Sequence, residues 1–97
     1  MDLSRLTDSE LKIALDTLAA KDRETTLQVL FHLIEFERRK LYVEAGFSSI
    51  FYYCTRQLKY SQASAYRRIA AAKCLAEHPE LAALLLEGKV TLCTVTA

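Results

Sequence analysis

A chain of 97 residues with a net charge of +1 has room for one modest hydrophobic core. Its apolar fraction of 52%, with two glycines and one proline, favours long helices over strands and turns. No apolar run approaches the roughly 18–20 residues of a membrane span, and Met1, Asp2, Leu3, Ser4, Arg5 lack the basic-then-apolar order of a signal peptide, so a cytoplasmic protein with no membrane partner is expected.

In chain order, Thr7 and Glu10 have capping-box spacing, and Leu11, Ala14, Leu15 and Leu18 recur on one face of a first helix ending near Ala20. A joint at Lys21 and Asp22 leads to a second helix, acidic at its start (Asp22, Glu24) and basic at its end (Arg38, Arg39, Lys40), as the helix dipole prefers. Its apolar residues fall on two sides, Leu27, Leu30, Phe31, Ile34 and Leu41 against Val29, Leu33 and Phe36, so it must be covered twice. The first and C-terminal helices can do this, and any face left bare, on this helix or on the C-terminal helices, is a homodimer interface.

Gly46 is the expected stop, and Ser48 or Ser49 the cap of a third helix from Ile50 to Leu58. Lys59, Tyr60 and Ser61 form a turn. Ser61 then caps a fourth helix, Gln62 to Glu77, closed by Pro79. A fifth helix carries Leu81, Leu84 and Leu85 to Gly88, and Thr91 caps a last one. The expected fold is all-α: five to six helices with a helix-turn-helix in the second half. One domain covers 1–97, with an N-terminal helical pair over 1–46 and the helix-turn-helix and following helices over 47–97.

Charge is uneven along this plan. Residues 1–50 hold seven Lys/Arg against nine Asp/Glu, whereas residues 51–97 hold six against three. Between Glu44 and Glu77 there is no acidic residue, yet Arg56, Lys59, Arg67, Arg68 and Lys73 lie there, which creates a positive field suited to phosphate. With Ala65, Ile69, Ala72 and Ala76 turned inward, Gln62, Ala63, Tyr66 and Arg67 point outward or sideways below the Ser61 cap. Ala70, Ala71 and Cys74 continue that outward side. Arg67 suits a guanine edge, Gln62 adenine and Ala63 a thymine methyl, with Arg56, Lys59, Arg68 and Lys73 as phosphate contacts.

The turn position usually filled by glycine is Lys59, which counts against the motif if positive φ is required there. The plainer alternative is a pair of packed helices with solvated arginines, making a protein-interaction or oligomerisation module. The five tyrosines fit an amphipathic core better than a base-stacking platform.

Nothing in the sequence points to catalysis or a cofactor. Cys54, Cys74 and Cys93 are odd in number and widely spaced, and His32 and His78 have no ligand-spaced partners, so no metal is expected. There is no P-loop, no glycine-rich dinucleotide turn and no plausible triad.

The run Lys40-Leu41-Tyr42-Val43-Glu44-Ala45-Gly46-Phe47-Ser48-Ser49-Ile50-Phe51-Tyr52-Tyr53-Cys54, continuing through Ser64-Ala65-Tyr66-Arg67-Arg68-Ile69 and Leu84-Leu85-Leu86-Glu87-Gly88-Lys89-Val90, resembles the N-terminal domain of bacterial HNH endonuclease-family proteins. The second half is also similar to the helix-turn-helix of ParB-type partition proteins, including Glu87-Gly88-Lys89-Val90. Both resemblances imply association with double-stranded DNA. Cleavage does not carry over, because residues 89–97 offer no general-base histidine and no further His or Asn ligands.

Overall fold

The computed structural model describes residues 2–92. Its first element, α1, spans Asp8–Arg38, 31 residues. Thr7 caps it as the sequence predicts: the Thr7 hydroxyl accepts from the Glu10 amide at 3.1 Å, and the Glu10 carboxylate accepts from the Thr7 amide at 3.0 Å. The expected N-terminal helical pair is not found. Ala19, Ala20, Lys21 and Asp22 continue the helix without interruption, because no glycine, proline or competing cap stands there to offset good helix formers.

The helix ends eight residues before Gly46. Lys40 takes a left-handed conformation (φ 52) and starts a short α2, Leu41–Glu44. Gly46 (φ 92) then turns the chain, and the Phe47 amide donates to the Tyr42 carbonyl at 2.9 Å.

Ser49 caps α3, Ile50–Tyr52, accepting from the Tyr52 amide at 3.3 Å. The α-helix expected to run on to Leu58 instead widens into a π-helical turn, Tyr53–Gln57. The Leu58 amide reaches back to the Tyr53 carbonyl at 3.1 Å, and the Thr55 hydroxyl donates to the Phe51 carbonyl at 3.2 Å. Helix α4, Gln62–Glu77, has the predicted bounds, with Ser61 accepting from the Ser64 amide at 3.1 Å. Helix α5, Leu81–Glu87, stops at Gly88 (φ 77), where the Arg23 side chain packs close and its Nε donates to the Leu86 carbonyl at 3.1 Å. The last helix expected after Thr91 falls largely on 93–97, outside the described residues, as does Cys93.

The core joins the C-terminal half of α1 to α4 and α5. Leu27, Leu30 and Leu33 meet Ala65, Ala71, Ala72 and Leu75 of α4 and Leu85 of α5, with Ile50 and Cys54 closing one side. Small alanines on α4 let the helices approach closely, so each buried leucine contributes about 1.5–3 kcal/mol. Phe36 packs against Tyr53 with ring centroids 4.5 Å apart, and Phe47 meets the same ring edge-on at 5.4 Å. This aromatic cluster ties α1 to the π-helical turn. The N-terminal half of α1 buries nothing and extends beyond the body.

Candidate nucleic-acid interface

The π-helical turn, Leu58–Ser61 and α4 make a helix-turn-helix arrangement on one side of α1. Within it Lys59 holds φ 67, the left-handed geometry that glycine commonly supplies, and the Tyr60 amide donates to the Cys54 carbonyl at 3.1 Å to lock the turn. Lys59 therefore stands exposed at the corner. Arg56, one turn earlier, is also exposed and lies 4.8 Å over the Tyr52 ring, an arrangement that leaves its guanidinium edge available to solvent.

On α4 the outward residues are those at its first two turns. Gln62 and Ala63 are exposed, Tyr66 is 68% exposed, and Arg67 is half-buried at the edge. Ser61 sits exposed at the cap. Lys73 is exposed two turns further along. Among these side chains no ion pair is present within the described residues.

Arg68 departs from its expected role. It is half-buried on the inner side of α4, its guanidinium 4.6 Å from the Tyr60 ring centroid, donating to the Ser64 hydroxyl and, at 3.4 Å, to the Ser64 carbonyl. Its Nε is buried with no hydrogen-bond partner among the described residues. The side chain lines a groove with Asp22, Leu27, Leu30 and Leu85. Arg68 is thus a packing residue, and of the residues expected to contact phosphate Arg56, Lys59 and Lys73 remain exposed.

The cause is the orientation of the whole helix. The inward face is centred on Ala65, Ala71, Ala72 and Leu75, rotated about 65° from the set Ala65, Ile69, Ala72 and Ala76. Ala76 is exposed and Ile69 only half-buried, while Ala71, expected outside, is fully buried. Burying one leucine outweighs burying an alanine, so Leu75 at 1% exposure sets the rotation and carries Arg68 inward. Ala70 and Cys74 are half-buried.

Two basic residues join the surface from a distant part of the sequence. Lys73 shares a groove with Arg38 and Lys40, where the end of α1 passes α4; Glu37 also lines it. The charge run at the end of α1 was visible in the sequence, but its apposition to Lys73 depends on the tertiary packing of α1 on α4.

A buried thiol, Cys54, sits in the first part of the motif. Burial pushes the Cys54 thiol above its ordinary value, Arg68 partly opposes this, and Glu37 adds to it. Cys54 is fully buried and packs as a small apolar side chain. No group of three His, Cys, Asp or Glu is gathered as a metal ion would require among the described residues, and no described helix is long and apolar enough to cross a membrane. The chain matches no family model, no curated protein and no solved structure.

Proposed function

We propose that this chain is a double-stranded-DNA-binding helix-turn-helix module, cytoplasmic and without catalysis of its own, whose α4 enters the major groove. The observation that carries this reading is the composition of one surface: Gln62, Ala63 and Tyr66 point out from the first turns of a capped helix, with Arg67 half-buried at its edge and Arg56, Lys59 and Lys73 beside them. That chemistry suits base edges at the helix start and phosphates around it. The resemblance to the N-terminal domain of HNH endonuclease-family proteins supports a targeting role, with any cleavage performed by residues outside this chain.

Binding of a fluorescent duplex across a salt series tests the assignment. Three phosphate-directed cations correspond to a slope of about −3 in log affinity against log salt. Replacing Arg67 and Lys73 together with alanine should weaken binding and, through the loss of Lys73, reduce the slope by about 0.9 while leaving the circular-dichroism spectrum unchanged. Arg68→Ala is unsuitable for this purpose, since it disturbs packing. A wild-type affinity that ignores salt would reject the DNA reading. It would favour the second one, a protein-interaction module, to which the exposed leucines of α1 already point.

A further inference from the structure

The N-terminal half of α1 presents Leu11, Leu15 and Leu18 at 45%, 66% and 63% exposure, on one face. Their spacing of four, then three, continues along the same side of the helix through Asp22, Thr25, Val29, His32 and Phe36. The last three, with Tyr53, Leu58 and Tyr60, line an open apolar groove of about 440 Å³. One helix therefore carries both an apolar ridge and, further along the same seam, an apolar groove.

The spacing of the seam is the same from either end. Positions 11, 15, 18, 22, 25, 29, 32 and 36 are separated by 4, 3, 4, 3, 4, 3 and 4 residues, so each has a counterpart such that the two numbers sum to 47. We propose that two copies of this chain pair through α1 as an antiparallel coiled coil, with the two-fold axis between residues 23 and 24. In that register Leu11, Leu15 and Leu18 of one copy meet Phe36, His32 and Val29 of the other. Every layer then pairs one of the two alternating seam positions with the other, as antiparallel packing requires. Both ridges fill both grooves, which gives a closed, isologous dimer.

Charge selects this orientation. Asp8 and Glu10 of one copy lie against the end of the other helix, where Arg38 and the cap residue Arg39, both also paired with Glu35 of their own chain, are followed by Lys40. Asp8 and Arg39 belong to the same sequence of layers, again summing to 47. A parallel pair would set acid beside acid and base beside base, with helix dipoles aligned. The central layers, Asp22 with Thr25, are polar; a slip of one heptad would set Leu18 against Asp22, so these layers fix the register. This pairing stands independently of the DNA-binding reading.

Sedimentation equilibrium of the full chain should give a dimer at micromolar concentration, and Leu15→Glu combined with Leu18→Glu should give a monomer of unchanged helicity. A second experiment tests the register. In the antiparallel arrangement the two copies of residue 18 lie about 16 Å apart along the seam, beyond disulfide reach, whereas residue 18 faces residue 29. With the wild-type chain as control for its own thiols, the double variant Leu18→Cys, Val29→Cys should oxidise to a covalent dimer, and Leu18→Cys alone should not. A monomeric wild type, a dimer that survives both glutamates, or cross-linking of Leu18→Cys alone equal to that of the double variant would each overturn the proposal.

Discussion

Lys59 holds a strained backbone at the corner where the proposed DNA-binding reading places a phosphate contact. Its backbone sits at φ 67, a region costing an L-residue about 1–2 kcal/mol, partly offset in any glycine variant by the greater entropy glycine loses on folding. Lys59→Gly should therefore raise stability by about 0.5–1 kcal/mol, or a few degrees in Tm, while lowering DNA affinity and reducing the salt slope by about 0.9. Thermal melts and duplex titrations on the same variant check both halves; a loss of stability would mean that the lysine makes a favourable contact in the turn. Residues whose roles are local were readable in the sequence. Thr7, Ser49 and Ser61 cap where expected because a cap depends only on neighbours within one turn. Arg68 was not readable in this way, since its inward orientation is set by Leu75 packing on α1, a contact distant in sequence.

Among the elements, α1 departs most from its sequence reading, because a polar Lys-Asp pair on an exposed helix is compatible with both a break and a continuation. Only the absence of glycine and proline decided between them. The helix is finished by electrostatics at its other end. Glu35 accepts from Arg38 at 3.0 Å and 2.5 Å and from Arg39 at 2.6 Å. These bonds, Arg38's first and Arg39's second, hold the Glu35 carboxyl down to about 2 from an ordinary 4.5. A depressed folded value means that its stabilising contribution is fully present above pH 4.5 and is lost as pH falls toward 2. Solvent screens the pair, so the effect is small and should shrink with salt. Comparing Tm against pH for wild type and Glu35→Gln, the two curves should differ most at neutral pH and converge in acid; a gap that stays constant across that range would refute the linkage. The π-helical turn at Tyr53–Gln57 was equally hidden, as the pattern of apolar residues there does not distinguish a five-residue from a four-residue hydrogen-bond step.

For the molecule as a whole, stability is concentrated in the half of α1 that meets α4 and α5. Leu30, fully buried, stands at the centre of that contact, so Leu30→Ala should cost about 2–5 kcal/mol, read from chemical denaturation of the whole chain. A cost below 1 kcal/mol would show that α1 is not the structural spine. The all-helical class followed from composition, whereas the overall shape could not, because it depends on one helix remaining unbroken. At 31 residues α1 is about 46 Å long, nearly the full 49 Å of the longest dimension. The radius of gyration is 16.1 Å, against about 12.5 Å for a chain of this length folded into a sphere-like body. Hydrodynamic drag on such a rod-bearing particle exceeds that on a ball of equal mass. A single copy should thus tumble slowly and migrate through a porous matrix as though it were heavier than its 11.0 kDa.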